Sequence, residues 1–162
     1  MSPFWTYFWP VFAFGLALGL VGGIFGFRNR RWLWAAAMVL AIGGAAVWHG
    51  PLGAGDRFAA AVENSARQTL VDYEMTQVTA HLHRAPLTRR LMLSGQADDF
   101  QQSELVRILS DVPGASSATW STSGGMPLLL EGAIASVLGF LAGLLLAYLI
   151  ELRRRYNAQW KW

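Results

Sequence analysis

The chain has 162 residues, 54% of them hydrophobic and 14% charged, with a formal net charge of +3. Soluble domains average about 25% charged residues, and the deficit here is local: residues 1–27 and 32–55 contain no Asp, Glu, Lys or Arg, and residues 112–150 contain only Glu131. This excludes an ordinary soluble globular protein, and the apolar content excludes a disordered chain. Cysteine is absent, which excludes disulfides, thiolate metal sites and cysteine nucleophiles.

A helix crosses the hydrocarbon core with about 20 apolar residues. The stretch from Phe4 to Phe27 meets that length, and Pro10 lies near its start. A cleaved signal peptide would need a basic start, whereas residues 1–9 read MSPFWTYFW. The expectation is a retained helix with Trp5, Tyr7 and Trp9 in the interfacial aromatic belt. A second span, Trp32 to Trp48, is near the lower length limit and pairs with the first as a hairpin, so residues 1–49 form one membrane unit.

Residues 50–126 form an extramembrane domain. The sequence GPLGAG at 50–55 leaves the membrane, and Asp56 is expected as a helix N-cap. Phe58, Val62, Ala66, Leu70 and Tyr73 then follow helical spacing. Val78, Ala80 and Leu82 alternate, Ala85–Pro86 interrupts, and Leu91, Leu93 and Gly95 share one face, which together predict an antiparallel hairpin. Asp98 or Asp99 caps a second helix with an apolar face of Phe100, Leu105, Ile108, Leu109 and Val112. Pro113–Gly114 stops it, and Ala115 to Thr122 reads as a last short strand. The final segment, 127–162, carries a third span from Leu128 to Ile150 and a basic tail.

The stretch LMLSGQADDFQQSELVRILSDVPGASSATW resembles a BON domain. Leu93, Ser94 and Gly95 match the strand end of that family's pattern, Gln101 to Leu109 its helix, and Pro113 and Gly114 its turn into the last strand. Ala115 stands where the family usually has Val, and its often glycine-rich hairpin turn is replaced by Arg84–Ala85–Pro86–Leu87. The resemblance covers residues 56–122. It implies a small αββαβ sandwich of the kind found in envelope proteins, binding phospholipid or partner proteins and lacking catalysis. The expected fold class is therefore a membrane protein with three transmembrane helices and a small α+β, BON-like domain.

Small residues recur every fourth position at Gly15, Gly19 and Gly23 in the first span and at Ala135, Gly139, Gly143 and Ala147 in the third; Ala37, Ala41 and Ala45 do the same in the second. Such ridges let helices approach closely in lipid. They serve either packing among these three helices or the docking of a helix from another protein.

Orientation follows from basic residues at the span ends. The loop carries Arg28, Arg30 and Arg31, and the tail carries Arg153, Arg154, Arg155 and Lys161. With three spans both lie on one side, expected to be the cytoplasm, where such clusters also attract anionic headgroups. Residues 56–111 hold six Arg against eight acids. The N-terminus and the domain are thus expected in the periplasm of a bacterial inner membrane, and the basic pI reflects topology rather than nucleic-acid binding.

Chemistry-bearing residues are few. Glu131, about one turn into span three, is read as a wetted carboxylate or a helix-start acid rather than an ion gate. His49 is read as an interfacial residue rather than a haem or chlorophyll ligand, and His81 with His83 as a solvent-facing strand pair rather than a metal site. Neither a nucleophile with a base nor an acid/base pair stands out, so no enzyme, no cofactor and no metal are expected. The function expected is non-enzymatic: presentation of the domain to proteins or phospholipid within a larger envelope complex or homo-oligomer. The alternative is an accessory subunit of a respiratory or photosynthetic complex that docks through its helices.

The absence of native cysteine makes the topology directly testable. In intact spheroplasts an impermeant maleimide labels the Ser121→Cys variant and spares Asn157→Cys; the reverse pattern would invert the assignment.

Overall fold

The computed structural model describes residues 2–28, 32–122 and 125–159. The elements in chain order are α1 (Pro3–Arg28), α2 (Trp32–His49), α3 (Ala54–Asp72), β1 (Val78–Arg84), β2 (Leu87–Gly95), α4 (Asp99–Ser110), β3 (Ser117–Thr119) and α5 (Leu128–Gln159). Among the described residues α1, α2 and α5 are long and apolar enough to cross a membrane. The chain divides into two compact units. One comprises the residues up to Tyr7 together with Gly53–Glu131; the other comprises Phe8–Leu52 and the chain from Gly132 onward.

In the first unit β1 and β2 form an antiparallel hairpin and β3 adds to β2 in parallel, giving the order β1-β2-β3. Period-two alternation puts Val78, Ala80, Leu82, Leu91, Leu93 and Ala118 in the core. Against them lie Phe58, Val62, Ala66 and Leu70 of α3 and Leu105 and Leu109 of α4, all buried. Asp98 caps α4 through a capping box: its carboxylate accepts from the Gln101 N–H at 2.7 Å, and the Gln101 side chain returns to the Asp98 N–H at 3.1 Å. On the outer side of α4, Glu104 hydrogen-bonds Arg107 at 2.7 Å and raises the guanidinium pKa above its ordinary value.

Both outer edges of this sheet meet a helix side chain. The Leu82 N–H of β1 donates to Glu63 of α3 at 2.9 Å, and the Ala118 N–H of β3 donates to the Ser110 hydroxyl of α4 at 3.0 Å. Each bond occupies one edge amide that would otherwise be free to pair with a further strand.

Several expectations are corrected here. Helix α3 begins at Ala54, two residues before Asp56, because Gly53 takes a positive φ of 66° and starts the turn; Asp56 sits in the first turn instead, where a carboxylate still favours the helix dipole. Tyr73 falls just past the helix and is exposed, and Phe100, in the first turn of α4, is 75% exposed. Gly95 has the parity of Leu91 and Leu93 yet is exposed at the end of β2. The last strand is only Ser117–Thr119; its neighbour Ser116 bonds outside it, to the Arg89 carbonyl.

In the second unit α1, α2 and α5 pack around Ala37, Ala41 and Phe140. Helix α5 continues past Ile150, where the third span was expected to end, to Gln159. Glu151 supports that extension with pairs to Arg154 at 2.8 Å and Arg155 at 3.1 Å, the i+3 and i+4 spacing that stabilises a helix.

Candidate functional site

The residues singled out in the spans meet one another within the second unit. Gly15 and Gly19 of α1 face the Ser136 and Phe140 carbonyl oxygens of α5, and Gly139 and Gly143 of α5 face the Phe12 and Leu16 carbonyl oxygens of α1. A Cβ at any of these four glycines would collide with the opposing main chain. Glycine carries a hydrogen in that direction, so the two backbones meet through Cα–H···O contacts, each contributing about 0.5–1 kcal/mol. Gly23 lies against Ala147, where an added Cβ would come within 2.6 Å of the alanine methyl. The pairs advance in the same sense along both helices, so α1 and α5 run parallel. Helix α2 runs the other way: Gly44 meets Phe14, Gly22 meets Ala37 and Gly26 meets Trp34.

Ala135 differs from the expected ridge. It is half-buried, and Ser136 beside it takes the contact row. The Ser136 hydroxyl is wholly buried and donates to the Ala41 carbonyl of α2 at 2.9 Å. The sequence reading missed Ser136; the signal that could have marked it is a lone serine in an apolar run, because a buried hydroxyl in lipid needs a partner.

Parallel α1 and α5 place Arg28 and Arg153, Arg154 and Arg155 at the same end of this unit, where the Phe27 and Tyr148 rings lie 6.0 Å apart. Arg30, Arg31 and Lys161 lie outside the described residues.

In the first unit the charged centre is Arg89. Its Nη1 pairs with Glu131 Oε2 at 2.8 Å, its Nε donates to the Gly114 carbonyl at 3.1 Å, and its guanidinium lies 5.1 Å from the centre of the Phe4 ring. The arginine and the glutamate are each only 19% exposed, so Glu131, an acid in the first turn of α5 as one of the two readings had it, is an ion-pair partner rather than a wetted carboxylate. This one side chain joins β2, the turn after α4, and the first turns of α1 and α5. Tyr7 is also buried, with its ring 5.6 Å from Phe58, so Trp5 is exposed where Tyr7 is not. The sequence did hold one signal for Arg89: it shares the core-facing parity of Leu91 and Leu93, and an arginine there calls for a carboxylate.

The strand-end motif is built as follows. Leu93 is buried, and Ser94 meets Thr79 across the hairpin at 2.8 Å between hydroxyl oxygens. Gly95 abuts the Gln77 carbonyl, which leaves no room for a Cβ. Pro113 is exposed, while Gly114 has a φ of 102° and would bring a Cβ within 2.7 Å of Val62. The turn residues therefore serve the core and the Arg89 hydrogen bond.

His83 Nδ1 lies 2.9 Å from the Pro86 carbonyl, and His81 is exposed opposite Met92. His49 ends α2, half-buried. Among the described residues no cluster of three or more His, Asp or Glu could hold a metal ion. Comparison with known proteins finds no matching family model, no matching curated protein and no matching solved structure.

The Arg89–Glu131 pair sets a stability order. Arg89→Met strands a half-buried carboxylate and costs about 2 kcal/mol, less than a fully buried pair would lose. The double variant Arg89→Met with Glu131→Leu regains most of that loss. Thermal melting of the full chain in detergent reads the order, and a double variant no better than the single would show that the pair is not the source.

Proposed function

We propose that this chain is a non-enzymatic protein of the bacterial inner membrane whose three helices hold a BON-like domain in the periplasm for interaction with proteins or phospholipid, within a larger envelope complex. The observation that carries this reading is the fate of the small-residue ridges. Gly15, Gly19, Gly139 and Gly143 are occupied by the chain's own helices, which removes the strongest sequence reason to dock a foreign helix there. The domain, in contrast, offers large apolar side chains to its surroundings: Phe100 is 75% exposed, Val71 57% and Tyr73 55%. Singly exposed apolar residues are common, but Val71 and Tyr73 lie close together at the end of one helix.

The helix order αββαβ of the domain supports the BON-like reading in kind. The common end of Arg28 and Arg153–155 supports a three-pass topology with the C-terminus in the cytoplasm, since the two basic clusters then act together.

The alternative, an accessory subunit of a respiratory or photosynthetic complex, keeps one support. Gly43 of α2 has no atom within 4 Å of where its Cβ would lie, so the outer face of α2 accepts a neighbour. A pull-down through a C-terminal tag in mild detergent, read by native gel and mass spectrometry, separates the readings. The domain reading predicts that the associated protein or phospholipid is lost from Val71→Asp/Phe100→Asp and retained by Gly43→Leu. The opposite pattern assigns the contact to the helices.

A further inference from the structure

The first unit contains a cleft of about 270 Å³ between the C-terminal half of α3 and the outer edge of β1, lined by Arg67, Leu70, Val71, Met75, Val78 and Ala80 among others. Its backbone groups can be assigned from the ladder. In an antiparallel pair, alternate residues turn their N–H and C=O toward the partner strand or away from it. Leu82 turns outward, because its N–H goes to Glu63; Val78 turns outward, because its N–H goes to the Met75 carbonyl at 3.1 Å. Ala80 lies between them in unbroken register with β2, so its N–H and C=O face the cleft. Among the described residues no acceptor meets that N–H.

We propose that this cleft binds a short, extended, acidic segment of a partner protein, which adds to the edge of β1 at Ala80 and places a carboxylate on Arg67. The proposal rests on the reading that the domain is the interacting part. Three features select the occupant. A donor and an acceptor from one residue match a peptide group, whereas a phosphate offers acceptors only. Arg67 is exposed, and the carboxylate one turn before it, Glu63, is committed to Arg84 at 2.7 Å and to the Leu82 N–H, so the cleft carries an unanswered positive charge. Leu70, Val71 and Met75 supply an apolar wall for an aliphatic side chain. Glu63 closes one end and the Met75–Val78 turn the other. With the Val78 and Leu82 amides taken by Met75 and Glu63, the added segment pairs through the N–H and C=O of Ala80.

The test uses the full chain, isotope-labelled in a detergent micelle, and a fluorescein-labelled octapeptide of alternating valine and glutamate. The expected result is saturable binding with a shifted Ala80 amide signal. Arg67→Glu weakens binding at least about tenfold, as charge reversal does at a complementary contact, and Arg67→Gln falls between. A peptide of alternating valine and lysine does not bind. The amide spectrum away from the cleft confirms that each variant is folded. Equal affinity of Arg67→Glu, or binding without an Ala80 shift, overturns the proposal. So does a response of Ala80 and Arg67 to phosphatidylglycerol in the micelle with none to the acidic peptide, which would make the ligand a lipid. If Arg67→Glu still captures a partner that Phe100→Asp alone loses, this cleft is wrong and the domain reading stands.

Discussion

The approach of α1 to α5 is the constraint on which the membrane part depends. Helices in lipid gain nothing from the hydrophobic effect when they meet, because the tails are as apolar as their side chains. They associate through packing and hydrogen bonds, and both improve as backbones come closer. Gly15, Gly19, Gly139 and Gly143 bring each helix to within contact of the other's carbonyl oxygens, a distance that no residue with a Cβ permits. Helix α2 then completes the bundle with Ala37, Ala41 and Ala45, all buried, and is tied to α5 by the hydroxyl of Ser136. The parallel course of α1 and α5 follows, and with it the gathering of Arg28 and Arg153–155 at one end.

The domain solves a different problem. A sheet of three short strands has a small core and two edges. Two helices cover one face, and each also sends one side chain to an edge amide: Glu63 to Leu82 and Ser110 to Ala118. Arg89 supplies the remaining order. From β2 it reaches Glu131 in the first turn of α5, the ring of Phe4 in the first turn of α1, and the Gly114 carbonyl. With these groups engaged internally, the cleft beside Ala80 and Arg67 stands out as a place where polar backbone and charge are left for a partner.

Features that depend on one segment at a time were legible in the sequence. Apolar length announced three candidate spans, alternation at Val78, Ala80 and Leu82 announced the first strand, and the Asp98–Asp99 pair announced the cap of α4, which Asp98 makes. Features that depend on two distant segments were not. Arg89 and Glu131 are 42 residues apart, and nothing local marks them as partners. Phe100 and Tyr73 fit the helical period, but each stands at a helix end where the period no longer points into the core. Tyr7 looked interfacial beside two tryptophans, yet its ring goes to Phe58. Ala135 fitted the four-residue repeat of α5, but the contact row includes Ser136, because helical ridges drift from any strict four-residue step. The BON-like resemblance rests on a short motif, and its glycines serve needs that many small α/β domains share: a positive φ at Gly114 and a close strand at Gly95.

The claim that glycine contact between α1 and α5 organises the membrane unit is tested most directly by adding side chains there. The measurement is the thermal stability in mild detergent of Gly139→Leu and Gly143→Leu beside Gly43→Leu, which has open space around it. The account predicts that the first two lose about 1–3 kcal/mol or fail to assemble, as overpacked contacts do, while Gly43→Leu melts as the wild-type chain does. Gly139→Leu and Gly143→Leu proteins as stable as wild type would contradict it.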